Sequence, residues 1–477
     1  MKTTLWAQVG AALLIGLALR FVLNLHPVWW LAWFVPGLLF ALALRVSTWR
    51  AHGLVAIAGL TSVTVNFPFF VKVMPLPPAI LVMALQTLLW VLVIGAARRI
   101  VRAFESAWTI LALPVAAVAV DTLLAHFTPD GNWGSLAYTQ AEILPVAQLA
   151  SLAGVGGMLL VLMLANSALA FALTYGVKGR GAPMAYVSVG LVIAVSVAFG
   201  YWRLATPVSG APVTFGMVAV DDSIQGANSD SSRAVWQRYD TQVRALVAQG
   251  ARQILLPEKI DVLPAAAAQL RQVQLAQLAR TQGVWLTVGL GVVNGAEKRN
   301  EAWVFAPDGS RVTDYLKQFM APPERDFLPG REYPVNDIQG VMYGVAICKD
   351  MHFARLGRSF GTRDAGVMLV PAWDFDTDDW MEANITKLRG VENGYVIVRS
   401  ARNGLLSVSD AYGRMLAVQR SAKLPGSVLL ATVNVGPRVR TVYTRIGDVL
   451  GWLCVGTTMV LLAWAIMRTR RTSGQRE

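Results

Sequence analysis

Charge is scarce in this sequence. Asp, Glu, Lys and Arg make up 15% of its 477 residues, against roughly a quarter in soluble globular domains, while 55% are hydrophobic. That balance excludes a wholly soluble chain, and it excludes disorder, which goes with few apolar side chains and much charge. Cysteine is nearly absent. The two present, Cys348 and Cys454, leave no disulfide scaffold, and Cys454 lies inside an apolar run. The four histidines lack the paired spacing that zinc sites use, so no metal and no other cofactor is expected. Acidic residues are the scarcer kind of charge, 29 against 42 basic, for a net charge of +13. Residues 205–445 are nearly balanced, so the basic surplus belongs to short loops between apolar runs. It argues for membrane topology and gives no support to nucleic-acid binding.

What abounds is long apolar sequence. Seven runs precede residue 205, near 5–24, 28–45, 53–71, 78–97, 107–127, 144–173 and 184–204, and an eighth covers 446–467. Each is long enough to cross a hydrocarbon core, which takes about 20 helical residues. The first carries Arg20 and lacks a small-residue cleavage site, so it reads as a retained span rather than a signal peptide. Arg45 and Arg50 follow the second run, and Arg98, Arg99 and Arg102 the fourth. Lys178 and Arg180 follow the sixth, and Arg468, Arg470 and Arg471 the eighth. The intervening loops hold only Lys72 of this kind. The positive-inside rule then puts both termini in the cytoplasm and residues 205–445 on the outer, extracytoplasmic face. The expected organisation is a seven-helix membrane region over 1–204, an outer domain over 205–445, an eighth span over 446–467 and a basic cytoplasmic tail over 468–477. Arg20 and Asp121, costly in lipid, are expected to face the bundle or an interface.

The outer segment reads as an α/β domain. Apolar, β-branched runs recur at 213–220, 252–257, 284–293, 341–347, 366–370, 395–401 and 427–433. Amphipathic helical patterns lie at 231–249, 263–281, 351–360 and 378–393, which implies a buried sheet with helices on its outer faces.

Three residues stand at strand ends with complementary chemistry. Cys348 follows GVMYGVAI, Glu258 follows QILLP, and Lys317 follows RVTDYL. A carboxylate can take a thiol proton, and an ammonium can stabilise the negative charge of a tetrahedral intermediate. Read singly, the cysteine is as readily a core residue and the two charges are surface residues. His352 reads as a surface or supporting residue. The acidic run Asp374, Asp376, Asp378 and Asp379 reads as a solvated loop that caps a helix start.

The segments LLPEKIDVLP, DYLKQFMAPPERDFLPG and GVAICKDMHF resemble the Glu–Lys–Cys motifs of the nitrilase, or carbon–nitrogen hydrolase, superfamily. Downstream, Arg389, Glu392, Arg399, Asn403 and Gly404 match its R-x-x-E and R-x-x-N-G pattern. With GNWGSLAYTQ and LPVAQLASLAGVGGMLLVLMLANSALA in the membrane region, the chain is similar over its length to the apolipoprotein N-acyltransferase family. The resemblance implies an eight-helix membrane bundle plus a four-layer αββα sandwich. It implies a phospholipid acyl donor, a thioester on Cys348 and the N-terminal amine of a diacylglyceryl-cysteine lipoprotein as acceptor, at the cell inner membrane. Glu258 would be general base, Lys317 oxyanion stabiliser, and Glu324 and Asp350 supporting acids. Trp236 is the weak counterpart of a family tryptophan near the substrate entrance, and a plain structural tryptophan is the better reading of it. Lys349 replaces an aromatic that follows the family's cysteine, and the Lys317–Cys348 interval is short, as in soluble amidases. A membrane-anchored amidase, or a divergent acyltransferase paralogue acting on another amine or amide, is therefore the alternative, with a silent membrane scaffold a third reading.

Overall fold

The computed structural model of the chain describes residues 4–177, 182–221 and 230–473. Lys178 and Arg180 lie outside the described residues. The fold separates into two units, Met1–Arg203 with Ile446–Glu477, and Leu204–Arg445.

In the first unit, seven helices among the described residues are long and apolar enough to cross a membrane: Leu5–Leu23, Thr48–Val73, Leu76–Phe104, Ala107–Phe127, Ala150–Tyr175, Pro183–Leu204 and Val449–Arg468. The second of the eight expected spans, at 28–45, is a shorter segment, Trp29–Arg45. It is a 3-10 turn, Trp29–Trp33, followed by an α-helix, Val35–Arg45, with a break at Phe34. Pro36 in the first turn has no amide hydrogen to give. The break frees backbone groups, and Asn166 satisfies two of them: its Nδ2 donates to the Ala32 carbonyl at 2.9 Å and its Oδ1 accepts from the Gly37 amide at 2.7 Å. The run expected at 144–173 is likewise interrupted. A single turn, Leu144–Ala147, precedes Ala150–Tyr175, which kinks at Ala153 and Gly154.

Side-chain contacts sort the helix ends of this unit into two sets. Arg98 donates to the Ala43 and Val46 carbonyls at 2.8 and 2.6 Å, and Arg102 to that of Leu44. These bonds answer carbonyls left open where the Val35–Arg45 helix ends. Arg45 donates to the Leu173 carbonyl, and Phe104 meets Trp464 edge-on at 4.7 Å. The second, fourth, sixth and last apolar segments thus finish together. At the other set, Gln140 accepts from the Trp33 indole at 2.9 Å and donates to the Trp29 carbonyl at 2.9 Å. His126 lies 3.4 Å from Asp448, joining the end of Ala107–Phe127 to the start of the last helix. Trp29–Arg45 therefore starts in one set of ends and finishes in the other. Asp121 is buried and accepts from Asn132 at 2.7 Å, and Arg20 donates to Thr64, so both polar groups are answered inside the unit.

The second unit is a four-layer sandwich. Its strands are β1 Ala211–Ala219, β2 Gln253–Leu255, β3 Val262–Pro264, β4 Trp285–Asn294, β5 Glu297–Phe305, β6 Arg311–Leu316, β7 Val335–Ile338, β8 Val341–Val345, β9 Ala365–Trp373, β10 Val396–Arg402, β11 Leu405–Ser409, β12 Met415–Arg420 and β13 Ser427–Val435. One sheet runs β13-β1-β2-β4-β5-β6, with β3 also on β4, and the other β12-β11-β10-β9-β8-β7. Alternation along β1 decides the layers: Phe215, Met217 and Ala219 fill the core between the sheets, while Val218 and Val220 face the helices Asp230–Ala248 and Ala265–Gln282. Helices Ala354–Gly361 and Asp379–Asn393 cover the second sheet. The middle of each sheet is parallel, β1-β2-β4 and β8-β9-β10. The loops after β2, β8 and β9 therefore emerge at carboxyl ends, where such sheets hold their ligands.

Candidate active site

Glu258 follows β2 and is held there by close backbone approach. Its amide donates across to the Ala372 carbonyl at 3.3 Å, and a Cβ on Gly289 of β4 would fall 2.6 Å from the Glu258 Cα. Glycine at 289 leaves the room the turn needs. Asp261 pins the turn from behind. Its carboxylate accepts from the Trp236 indole at 2.9 Å, and its carbonyl accepts from the Gly291 amide at 2.8 Å. Trp236 thus belongs to the layer between helices and first sheet, with Arg271 over its ring at 3.9 Å. The fold puts it behind the Glu258 turn, whereas Cys348 belongs to the core between the sheets.

Lys317 follows β6 and is almost fully buried, a position an ammonium holds only with charged partners. Its Nζ donates to Glu258 Oε1 and to Glu324 Oε2, each at 2.7 Å. Asn300 of β5 bridges the same two carboxylates, at 2.5 Å to Glu258 Oε1 and 2.9 Å to Glu324 Oε1, and Lys259 pairs with Glu324. Two carboxylates and two ammonium groups balance. Burial alone would raise the Glu324 carboxyl, but Lys317 and then Lys259 hold it down at about 2. Burial likewise opposes the charge on Lys317, and Glu258 and Glu324 overcome it, holding its pKa well above the ordinary lysine value. One Lys317 donor and Glu258 Oε2 are left unbonded among the described residues.

Cys348 opens a 3-10 turn after β8 with φ of 46°, in the left-handed region where a non-glycine residue is strained. Its Sγ lies 3.5 Å from the Trp373 carbonyl. Burial pushes the thiol pKa well above its usual value, and Glu258 pushes it further against the pull of Lys317. The resting group is a neutral thiol that needs a base. Asp350 fixes the turn: one oxygen accepts from the Ile347 amide at 3.0 Å and the Tyr315 hydroxyl at 2.7 Å, the other from the amides of Gln318 and Phe319 at 3.0 and 2.9 Å. One carboxylate thus locks the cysteine turn to the residues just after Lys317. Burial raises it to about 6. Lys349 ties the same two loops, its Nζ 3.1 Å from the Met320 carbonyl.

Several residues of the site were not legible as such. Asn300 sits in a polar stretch of β5 with no motif around it. Of the acidic run, only Asp376 is exposed; Asp374, Asp378 and Asp379 are buried, which corrects the solvated-loop reading. Asp374 is taken by Arg399, whose guanidinium bonds both its oxygens, and a Cβ at Gly404 would fall on that carboxylate. Asp378 stands before the helix Asp379–Asn393, but its carboxylate accepts from the Phe375 amide at 2.8 Å and makes no cap. His352 is buried too, 2.6 Å from Glu382. The Cys348 thiol and carboxylate oxygens of Asp374 and Glu382 lie within 4.8 Å of one another. Arg399 and His352 already engage these carboxylates, which fits a charged wall better than a metal seat.

The model of the apolipoprotein N-acyltransferase N-terminal domain matches residues 11–168, and that of the carbon-nitrogen hydrolases matches residues 223–447. The chain belongs to the apolipoprotein N-acyltransferase family. It is a multi-pass membrane enzyme of the nitrilase superfamily. Among curated members of that family, the apolipoprotein N-acyltransferase of Geobacter metallireducens is 26% identical over 75% of this chain and 74% of its own length. That of Borreliella burgdorferi is 25% identical over 25% of this chain and 24% of its own. Among solved structures, a mutant amidase of Nesterenkonia sp. AN1 with an acetamide moiety on its active-site cysteine overlaps 48% of this chain and 92% of its own, at 19% identity and a TM-score of 0.42.

Proposed function

We propose that this chain moves an acyl chain from a phospholipid to the N-terminal amine of a diacylglyceryl-cysteine lipoprotein, at the inner membrane and on its outer face. The observation that supports it is the buried Glu258–Lys317–Cys348 constellation in a chain whose membrane part belongs to the acyltransferase family. Glu258 Oε2 takes the thiol proton as Cys348 Sγ attacks the ester carbonyl. The unbonded donor of Lys317 meets the developing oxyanion. Collapse breaks the ester C–O bond, and the lysophospholipid oxygen leaves with the proton from Glu258. The amine then attacks the thioester, the C–S bond breaks, and the sulfur takes back a proton through Glu258. Both substrates are anchored in lipid, so a site carried by a membrane protein meets them without extracting either. The outer-face placement rests on the basic ends of the second, fourth, sixth and last apolar segments, which mark the cytoplasmic side.

The test supplies the purified protein with a phospholipid bearing an isotope-marked acyl chain and a diacylglyceryl-cysteinyl peptide. The expected product is the peptide with the marked acyl group on its α-nitrogen, and none forms on a peptide whose amine is blocked. Marked free fatty acid as the sole product would overturn acyl transfer in favour of hydrolysis.

A further inference from the structure

Two short stretches of the second unit are basic with no acidic residue among them. Residues 354–363 hold Arg355, Arg358 and Arg363, and residues 436–446 hold Arg438, Arg440 and Arg445; neither contains Asp or Glu. Residues 205–445 as a whole are nearly balanced in charge, so these six arginines are a local surplus. A surplus on this flank of the last apolar helix also runs against the loop bias, which gathers basic residues at the opposite ends of the membrane helices. None of the six takes part in the proposed transfer.

The fold joins the two stretches into one surface. Arg358, on the helix Ala354–Gly361, donates through Nε and Nη2 to the Thr444 and Arg445 carbonyls, each at 3.0 Å. Arg438 Nε donates to Asp364 at 2.9 Å, and that carboxylate follows directly on the first stretch. The second stretch is fastened to the sandwich at further points: the Val439 amide donates to the Gly394 carbonyl and the Thr441 hydroxyl to that of Glu392, each at 2.7 Å. Thr441, Tyr443 and Thr444 are buried, which leaves Arg440, Val442, Arg445 and Ile446 exposed. Arginines beside exposed aliphatic side chains suit a segment that lies at a lipid–water boundary. Arg445 stands four residues before Val449, the first residue of the last apolar helix, so at most about 14 Å of chain separates them. Chain length alone therefore keeps this surface close to the lipid that helix enters. At the other end Arg355, one helical turn from Arg358, lies over the Phe319 ring at 4.9 Å, and that ring stacks on Phe353 at 3.7 Å. The surface thus runs from the entry of the last helix to the loops that carry Lys317 and Cys348.

We propose that this arginine surface docks on the headgroups of anionic phospholipids, with Val442 and Ile446 entering the apolar boundary beneath them. Guanidinium groups bind phosphate oxygens through paired N–H donors. Each basic side chain near an anionic membrane surface strengthens the attraction by about 5-fold, and salt screens it. Docked in this way, the loops after β6 and β8 meet the lipid in a fixed attitude. The surface uses anionic lipid as a seat and not as an acyl donor, so the inference is independent of the acyl-transfer reading.

The test reads the arginines themselves. The full chain is placed in nanodiscs of phosphatidylcholine alone or with about 30% phosphatidylglycerol, and the rate at which phenylglyoxal modifies each arginine is followed by peptide mass mapping. Arg440 and Arg445 are expected to react about 5-fold more slowly in the anionic discs, while Arg244, exposed on the helix Asp230–Ala248, reacts equally in both. Raising salt to about 0.5 M brings the two discs to within about 2-fold. In the double variant Arg440→Gln/Arg445→Gln, Arg355 and Arg363 lose their own protection and react within about 2-fold of their rate in neutral discs, because the surface has given up about 25-fold of its attraction. Arg440→Lys/Arg445→Lys keeps the charge and keeps that protection. Equal rates for Arg440 and Arg445 in the two discs, protection that survives salt, or equal protection of Arg244 would overturn the docking. Protection of Arg355 and Arg363 that outlasts the glutamine pair would overturn the single surface.

Discussion

At Glu324, four interactions decide what a carboxylate does in the core of the catalytic unit. Lys317, Lys259, Asn300 and the Ala321 amide all donate to it, and they keep it ionised to about pH 2 although it is buried. A carboxyl held below its unfolded value contributes stability above that value and loses it as the pH falls through the folded one. Glu324→Gln is therefore expected to lower the melting temperature by several degrees at neutral pH. The difference from wild type should shrink as the pH drops from about 4.5 towards about 2. Thermal scans in detergent across that range measure it, and a gap that stays constant would contradict the charge assignment. The residues of this network differ in how readable they were. Glu258, Lys317 and Cys348 stand at strand ends inside motifs, and the fold brings them together. Asn300 and Glu382 carry no such signature, because their partners come from elements more than 20 residues away and only the packed sandwich supplies them.

At the scale of the element, apolar length alone misjudged where helices stop. Residues 28–45 and 144–173 are apolar enough to run through, yet backbone chemistry interrupts both, with Pro36 near the first break and Gly154 at φ of 65° in the second. A break in an apolar setting survives only when its freed backbone groups find partners. Asn166 supplies two, so Asn166→Leu leaves the Ala32 carbonyl and the Gly37 amide unanswered. Each such orphan costs about 1–3 kcal/mol, and the variant is expected to lose about 2–5 kcal/mol of stability while Asn166→Gln loses less. Unfolding in detergent reads the loss; a leucine variant as stable as wild type would mean the break is answered elsewhere. The sandwich strands were easier to read where they are buried on both faces, as β9 and β10 are. β5, β7 and β12 mix charged and polar residues into the antiparallel parts of the two sheets, which period-two reasoning on apolar residues passes over.

At the scale of the whole molecule, the chain joins a membrane unit to a hydrolase-type sandwich, and each answers a different part of one problem. The apolar unit keeps the protein where acylated substrates reside. The sandwich buries a thiol beside a carboxylate and an ammonium, and burial pushes the thiol pKa well above its usual value. Composition already separated the two parts, since the basic surplus lies outside residues 205–445, and the motif spacing pointed to the sandwich. What the account claims above all is a thioester on Cys348. The direct measurement is the intact mass of detergent-purified protein after exposure to phospholipid, beside a Cys348→Ala control that remains folded. The account predicts an added acyl chain on the wild type, removed by hydroxylamine and absent from the control. A folded wild type that stays unmodified across several phospholipids, or an adduct that persists in the control, would contradict it.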